Sequence, residues 1–261
     1  MPSSARLEKY SPEQVKAYCW QKPDLDYLLR PHQDRIEQAF LASKERTFVQ
    51  EIGRQVGKTF WNCKKAVEIC LGIPHGRVKY ASAFMNSVEE YVMPNLRLVL
   101  QDCPNHLRPK PSKTERKYTF KNGAELKLIG LDKEPDAGRG PYCDLYIIDE
   151  AGFVRSLGTI LDDVIRPMFN TRPWGKIVLS SSSPKTPGHP FIQYAEKFKA
   201  LGSYIMMTIE DNQDLSPERI EEIKSEYDSE TAMRRELYCD RIVDEALAII
   251  PEWEEVYCKE T

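Results

Sequence analysis

The chain alternates between short β-rich segments and longer segments with helical periodicity. Thr47–Ile52, Arg77–Ser82 and Lys176–Ser181 are short and β-rich, as strands of a covered sheet are. In the segments between them, apolar residues recur every three to four positions, which is typical of amphipathic helices. The pattern predicts an α/β fold of three layers with a mostly parallel central sheet and right-handed crossovers.

Three helices are predicted to pack against this sheet, after an irregular, proline-marked start. The first spans Pro31–Ser43 and directs Ile36, Phe40 and Leu41 toward the core. The other two are Lys58–Leu71 and Asn86–Gln101, the second of which contains Pro94.

A hairpin and a central strand complete the first part of the chain. Lys117–Lys121 and Ala124–Ile129 flank Asn122-Gly123, a dipeptide that favours a tight hairpin turn. Asp144–Ile148 is almost continuously apolar and leads into Asp149-Glu150, as expected of a parallel strand covered on both faces.

The last part of the chain is predicted to be helical. Ser203–Ile209 is a candidate final strand, and Ser216-Pro217-Glu218 then opens a helix with serine as N-cap and proline in the first turn. This helix, or helix pair, runs to about Ile242 and forms the expected small subdomain.

Composition narrows the class of protein. The 261 residues are 41% hydrophobic and 30% charged, which suits one large domain or a core with a small subdomain. Seven cysteines without a CxxC pair and four scattered histidines indicate reduced thiols and no zinc site. The longest apolar runs, Leu145–Ile148 and Ala246–Pro251, are too short to span a bilayer, and no secretory signal is expected. Because the net charge is −3, nucleic acid would have to bind a local basic patch.

The stretch Gly53-Arg54-Gln55-Val56-Gly57-Lys58-Thr59 follows a strand and opens a helix, the context that a phosphate-binding loop requires. Glycines let backbone N–H groups approach phosphate oxygens, and the helix N-terminus favours the anion. Lys58 would reach the β- and γ-phosphates, and the Thr59 hydroxyl would coordinate Mg²⁺. The strict pattern has a glycine where Ile52 stands, so a surface turn before an ordinary helix is the alternative reading of this loop alone.

Two acids at the end of the apolar strand strengthen the first reading. Ligands of open parallel sheets bind at the carboxyl ends of the strands, so Asp149 and Thr59 are placed to share one magnesium ion. Glu150 would then be aimed at a water in line with the γ-phosphate. A solvated strand end is the alternative for the acid pair alone, but the two motifs occur in the right order on the right elements.

With these residues, the sequence resembles the ATPase domain of the large subunit of bacteriophage terminases, the motors that pump DNA into capsids. The resemblance runs from about Pro31 to Pro251. Its most specific part is the loop Gly53–Thr59, since the family's variant loop carries Arg-Gln ahead of Gly-Lys and tolerates the missing first glycine. Asp149-Glu150-Ala151 matches the Walker B strand of the family.

Three further segments resemble motifs of that family. Ser182 and Ser183, ahead of Pro184, match the coupling motif that senses the γ-phosphate. Arg30-Pro31-His32-Gln33 resembles the adenine-recognition motif, with Gln33 as the amide that would read the base. Arg139, in Gly138-Arg139-Gly140, falls where related packaging ATPases place a finger arginine that enters a neighbouring subunit.

The resemblance implies Mg²⁺-dependent hydrolysis of ATP, coupled to movement along double-stranded DNA. Glu150 would orient and deprotonate the attacking water, and Arg139 would neutralise transition-state charge in trans. Arg54 would contact the γ-phosphate or a neighbouring acid, the alternative being a solvated loop arginine. The phosphates would be held by Lys58 and by the loop residues Gly53, Arg54, Gln55, Val56 and Gly57; the metal by Thr59 and Asp149.

The resemblance also implies partners and a location. It predicts a homo-oligomeric ring on the capsid portal, a small terminase subunit as partner, a monomeric isolated domain, and the cytoplasm of an infected bacterium, away from membranes. Residues 1–209 would form the P-loop ATPase core, and residues 210–261 a helical lid and the start of a linker. A nuclease domain usually follows in this family; here the chain ends at Thr261, and we expect no DNA cleavage by it.

For DNA, the segment from Arg108 to Lys117 is basic. Lys113, Arg116 and Lys117 would contact phosphates without reading sequence, as a motor on arbitrary genomes requires. The alternative is a solvated loop.

Two other functions remain open for the whole chain. One is a fragment of a superfamily 2 helicase, which needs a second motor domain, and the other is a nucleotide-binding scaffold that does not hydrolyse ATP.

Overall fold

A computed structural model of the protein describes residues 11–131 and 138–242. The apolar run Ala246–Pro251 and the end of the expected lid lie outside the described residues. None of the helices in the two described ranges combines the length and the apolar character needed to cross a membrane.

Within the described residues, eight strands form one sheet in the order β3-β4-β5-β2-β6-β7-β1-β8. The run from β5 to β8 in this order is parallel, and β3 and β4 add an antiparallel edge. The strands are β1 Thr47–Ile52, β2 Arg77–Ser82, β3 Lys110–Ser112, β4 Lys117–Thr119, β5 Glu125–Gly130, β6 Leu145–Asp149, β7 Lys176–Ser181 and β8 Tyr204–Met207. The predicted mostly parallel sheet is confirmed, with β6 buried along its whole length.

Helices cover both faces of the sheet. The longer ones are α1 Pro12–Gln21, α2 Pro31–Ala42, α3 Lys58–Gly72, α4 Met93–Val99, α5 Pro190–Ala200, α6 Pro217–Ser225 and α7 Glu230–Tyr238. Alternate strand residues enter two separate cores: Ile147 packs with α2, α3 and α4, whereas Ile148 packs with α5 and the helical turns of 157–169. This period of two, with helices on either side, confirms the three-layer α/β fold.

The helix predicted over Asn86–Gln101 is interrupted. Met85–Ser87 and the π-helical turn Val88–Val92 precede α4, and Pro94 lies in the first turn of α4. Proline has no N–H to donate and its ring crowds the carbonyl four residues earlier, so a regular α-helix cannot continue through it. The wider turn accommodates the break.

The sequence predicts an irregular start to the chain, and this prediction is wrong for Pro12–Gln21, which form the helix α1. Ser11 Oγ accepts from the Gln14 N–H at 3.3 Å, while Gln14 Oε1 accepts from the Ser11 N–H at 2.8 Å. This reciprocal cap, followed by Pro12, is a helix-start signal that is readable in the sequence. Weak apolar periodicity concealed it, since Trp20 is the one buried residue of this helix.

The side chain of Leu41 was also predicted wrongly. Ile36 and Phe40, four positions apart, share the buried face of α2, but Leu41 is rotated away and 63% exposed.

Beyond the sheet, α6 and α7 form a helix pair with a small core of their own, built from Ile209, Ile220, Ile223 and Leu237. The boundary between residues 209 and 210 stays a prediction.

Candidate functional site

The loop between β1 and α3 has the backbone of an anion-binding turn. Gly57 adopts a left-handed φ of +88°, and a Cβ there would lie 2.1 Å from Gln33 Nε2. At Gly53, a Cβ would lie 2.3 Å from the Leu237 carbonyl oxygen at the end of α7. Both glycines are therefore required, the first by conformation and the second by the close approach of α7.

Four of the predicted site residues meet at the carboxyl ends of β1 and β6. Thr59 Oγ1 donates to Asp149 Oδ2 at 2.9 Å, and the Tyr80 hydroxyl donates to the same oxygen at 2.7 Å. Lys58 Nζ lies 3.3 Å from Glu150 Oε1. Tyr80 was not expected at this site; its signal is only its position two residues before the end of β2.

The charges in this group shift the pKa values of Lys58 and Asp149. Burial alone would lower the pKa of Lys58, but attraction by Glu150 and Asp149 outweighs it and raises that pKa. Burial and the neighbouring Glu150 charge raise the pKa of Asp149, although Lys58 opposes them. Because Asp149 is only 3% exposed and lies beside another acid, a cation next to it would relieve an unfavourable charge.

Glu150 is aimed into the site by its own backbone. Its φ of +55° is left-handed, which is uncommon for a residue with a side chain. The chain turns sharply at this position, directly after β6, and the Glu150 N–H donates to Asp149 Oδ1 at 3.1 Å. The turn leaves the two carboxylates on the same side of the strand end.

These residues line a cavity of about 640 Å³, a size that accommodates a nucleotide. One wall is the loop and the start of α3, including Arg54, Lys58 and Thr59. The opposite wall comes from the helical segment after β2, which contributes Phe84, Ser87, Tyr91 and Asn95. Ser87, Tyr91 and Asn95 are four residues apart and share one face of this segment, and Phe84 immediately precedes it.

Gln33 lies beneath the loop. It is 4% exposed, its Nε2 donates to the Gly57 carbonyl at 3.3 Å, and its Oε1 accepts from the Arg30 N–H at 3.0 Å. Its amide is therefore engaged with backbone on both sides, and Gln33 does not line the cavity. Reading of the base by Gln33 stays a prediction.

Arg54 is joined to the end of α7. Its Nε donates to Glu236 Oε2 at 3.0 Å, and its backbone N–H donates to the Glu236 carbonyl at 2.8 Å. Ser182 Oγ donates to the same Glu236 oxygen at 3.0 Å. Ser183 is buried beside it, and its Oγ has no hydrogen-bond partner within residues 11–131 and 138–242. The resemblance alone implies a lid role over the nucleotide for Glu236, and nothing local in the sequence indicates its contacts with Arg54 and Ser182.

Arg139 lies at the amino ends of the strands, opposite the phosphate loop. It lines a cavity of about 270 Å³ with Arg77, Lys79 and Lys127, at the amino ends of β2 and β5. The phosphate loop lies at the carboxyl ends of the strands. A six-residue strand separates its two ends by roughly 17 Å. Arg139 is therefore remote from the nucleotide cavity of its own chain.

The basic residues predicted for DNA flank the antiparallel edge. Lys113 and Arg116 are exposed in the β3–β4 turn, where Arg116 has a left-handed φ of +49°. Lys117 is partly neutralised, because its Nζ lies 3.2 Å from both Glu115 and Glu125. The three residues line a groove of about 370 Å³ with Met85, Met93 and Tyr118.

The residues present fit a magnesium ion beside Thr59 and Asp149. Their hydroxyl and carboxylate oxygens are hard ligands of the kind that this ion prefers. A second acidic group, Asp24, Asp26 and Glu68, is close enough to hold a cation, but Lys64 already pairs with Asp26 and lies 2.9 Å from Glu68. That cluster is neutralised from within the protein.

The fold and the loop together define a P-loop nucleotide-binding domain. More narrowly, the chain belongs to the terminase large subunit family. Residues 50–255 match the family described as terminase large subunit, T4likevirus-type, N-terminal. This membership does not favour the helicase alternative. Among curated proteins, no sequence matches the chain.

Solved structures with a similar fold include three large terminases. The ATPase domain of Thermus phage P74-26 is 18% identical, with 84% of this chain and 96% of that one covered and a TM-score of 0.63. The large terminase of a thermophilic bacteriophage, solved with ADP, is 14% identical, with 89% and 54% covered and a TM-score of 0.65. That of bacteriophage HK97 is 13% identical, with 90% and 56% covered and a TM-score of 0.66. The chain thus spans about half the length of the last two.

Proposed function

We propose that this chain is the ATP-hydrolysing motor domain of a terminase large subunit and drives double-stranded DNA into a procapsid. The observation that carries the proposal is the convergence of Lys58, Thr59, Asp149 and Glu150 on one cavity beside a glycine loop. Structures of the thermophilic bacteriophage's large terminase with ADP and with ATP-γ-S support nucleotide as the ligand of such a cavity.

The loop and Lys58 hold the triphosphate. The N–H groups of Gly53, Arg54, Gln55, Val56 and Gly57 precede a helix N-terminus, which favours the bound anion. Lys58 reaches the β- and γ-phosphates and exchanges its contact with Glu150 for phosphate oxygens. Thr59 and Asp149 would hold a magnesium ion, which would neutralise part of the phosphate charge.

Glu150 acts as the general base. Its Oε1 lies 3.3 Å from Lys58 Nζ, and a γ-phosphate that attracts Lys58 would leave the carboxylate able to accept a proton from water. The left-handed backbone at Glu150 keeps the carboxylate at the strand end throughout.

Arg54, Ser182 and Ser183 couple the site to the helices that follow. Glu236 accepts from both Arg54 and Ser182, so a γ-phosphate that attracts Arg54 also changes the contacts of β7 and α7. The part of the proposed lid that the structure describes, residues 210–242, would move with α7. Ser183 lies next to this network and is available for a further contact.

Arg139 serves the site of a neighbouring subunit. Its position at the amino ends of the strands is remote from its own cavity, which supports action in trans within a ring. An arginine finger of this kind contributes about 10³–10⁵ in rate. A small terminase subunit and a capsid portal are the expected partners of the ring, inside an infected bacterium.

Lys113, Arg116 and Lys117 contact the DNA backbone in this proposal. They stand on one edge of the domain, where they can follow phosphates without reading bases. Such contacts suit a motor that must act on any sequence.

The proposal is tested by ATP turnover measured with and without Mg²⁺ over a range of protein concentrations. We expect Mg²⁺-dependent turnover that rises with assembly and falls on Arg139→Ala. Fast turnover that is independent of concentration and of Arg139 rules out the finger. Absence of nucleotide uptake in calorimetry overturns the motor function altogether, and strand displacement would favour a helicase instead.

A further inference from the structure

The segment Gly138-Arg139-Gly140 rests on side chains of β2 and β6. Lys79, from the middle of β2, donates from Nζ to the Gly138 carbonyl oxygen. The same Nζ lies 3.2 Å from Met168 Sδ. Lys79 thus reaches along the sheet face to the backbone directly before Arg139.

A side chain at either glycine beside Arg139 would meet a side chain of β2 or β6. A Cβ on Gly140 would lie 2.7 Å from Lys79 Nζ, and a Cβ on Gly138 would lie 2.5 Å from the Tyr146 hydroxyl. Both distances are shorter than an ordinary carbon contact, so a side chain at either position would displace Lys79 or Tyr146. The flanking glycines therefore reflect packing, in addition to any freedom they give the loop.

Lys79 is an unfavourable residue to bury at this position. It is only 7% exposed, and no carboxylate of the described residues lies within ion-pair distance of it. Burial, together with the nearby cations Lys127 and Arg77, lowers the pKa of Lys79 to about 8. A buried amine without an acid partner costs free energy that an apolar residue of the same length would avoid. The carbonyl of Gly138 is the group that uses its hydrogen-bonding capacity.

We propose that Lys79 is a positioning residue for Arg139, which it holds by anchoring the Gly138 carbonyl to β2. The inference rests on the proposed function, since it takes Arg139 as the arginine that enters a neighbouring subunit. Lys79 does not line the nucleotide cavity of its own chain, so we expect its effect on turnover to pass through the finger segment.

In this arrangement, Lys79 is expected to affect ATP turnover only in the subunit that donates the finger. A subunit that supplies the nucleotide site alone can lose Lys79 without consequence. A residue needed merely for folding would be required in both subunits. Mixed assemblies separate the two cases.

The experiment mixes two variants that are each inactive. Glu150→Gln subunits can donate a finger but cannot hydrolyse, whereas Arg139→Ala subunits can hydrolyse only with a neighbour's finger. Their mixture is expected to regain turnover. Lys79→Met is then added to one partner at a time, because methionine is an unbranched apolar residue only one atom shorter than lysine.

In the donor subunit, Lys79→Met is expected to lower the regained turnover by about 10–100-fold, the loss that follows from a catalytic group displaced by about 1 Å. In the Arg139→Ala subunit, the same change is expected to leave the regained turnover intact. Lys79→Arg in the donor should restore most of the loss, since guanidinium also donates to a carbonyl.

Limited digestion with trypsin gives an independent readout of the segment. Cleavage after Arg139 should be several-fold faster in Lys79→Met than in the wild type, while Lys127→Met, a matched change of an exposed cation on the same cavity, should leave it unchanged. Equal loss of turnover in both subunits, or unaltered cleavage, overturns the positioning role. Failure of the two parent variants to regain turnover, in a mixture that sedimentation shows to be assembled, overturns the finger in trans, and with it this inference.

Discussion

Arg54 of the phosphate loop and Glu236 of α7 are joined twice, by a side-chain hydrogen bond of 3.0 Å and a backbone hydrogen bond of 2.8 Å. The residues are 182 positions apart, and their contact ties the nucleotide cavity to the last described helix. A γ-phosphate would compete with Glu236 for the same guanidinium.

Glu236→Gln should strengthen the binding of a triphosphate analogue without changing that of ADP. The amide oxygen still accepts from Ser182, but the negative charge that holds Arg54 is gone. We expect an affinity for ATP-γ-S about two- to fivefold higher, a modest effect because Arg54 is more than half exposed. Titration calorimetry measures both nucleotides. Glu222→Gln, on the exposed face of α6, is the control, and an equal change for ADP would refute competition for Arg54.

Glu150→Gln should abolish turnover and retain nucleotide binding. The substitution removes the carboxylate that is to accept a proton, and loss of a general base costs about 10²–10⁴ in rate. It also releases Lys58, whose Nζ lies 3.3 Å from Glu150, so the affinity for ATP should not fall. Single-turnover hydrolysis and equilibrium binding check the two parts. Wild-type turnover in this variant would exclude Glu150 as the base.

Gln33→Ala should weaken ATP and GTP binding by a similar factor. In the structure the Gln33 amide contacts the Gly57 carbonyl and the Arg30 N–H, so its removal loosens the loop that every nucleotide uses. Loss of one such hydrogen bond corresponds to about fivefold in affinity. Competition binding with both nucleotides is the measurement. A loss confined to ATP would instead establish Gln33 as the reader of the base.

Alanine at Lys113, Arg116 and Lys117 together should weaken binding to double-stranded DNA and flatten its salt dependence. Each phosphate contact contributes about 0.9 to the slope of log affinity against log salt concentration, so the slope should fall by about 2 to 3. A matched triple change of exposed lysines elsewhere, Lys185, Lys197 and Lys199, is the control. Binding isotherms at several salt concentrations decide; an unaltered slope would mean that DNA binds another surface.

The stability of the wild type relative to Lys79→Met should rise with pH between about 8 and 10.5. Folding lowers the pKa of Lys79 from its ordinary value of 10.5 to about 8. In this range the unfolded chain holds a proton that the folded chain has released, so raising the pH favours the folded state. The full difference amounts to at most about 3 kcal/mol. Denaturant unfolding of both proteins at pH 7 to 10 measures it, and a constant difference would contradict the lowered pKa.

Much of the fold could be predicted because the strands and turns depend on residues that are close together in the sequence. The bounds of β1, β2 and β7 agree with the β-rich segments of the sequence, and the Asn122-Gly123 turn joins antiparallel strands as expected. The structure differs from the predicted helices where the apolar periodicity is weak or where a proline interrupts it. The capping box at Ser11 begins a helix with little apolar periodicity, and Pro94 interrupts one whose periodicity is good.

The candidate site divides in the same way. Lys58, Thr59, Asp149 and Glu150 come together because their strands are parallel and close in the sheet, so that their carboxyl ends share one edge. Glu236 and Tyr80 join them through contacts that no local pattern announces. The opposite wall of the cavity, from Phe84 to Asn95, depends on how one helical segment turns its faces.

The amino-acid sequence alone predicts the alternation of strands and helices, the glycine loop and the acids that end β6, since each depends on neighbours within a few residues. Three contacts could be found only in the folded chain: Gln33 lies beneath the loop, Glu236 meets Arg54, and Lys79 donates to the backbone before Arg139. These contacts join distant parts of the chain, and the order of the strands and the packing of helices on them set which parts meet. That order is a property of the whole fold, so no short stretch of residues encodes it.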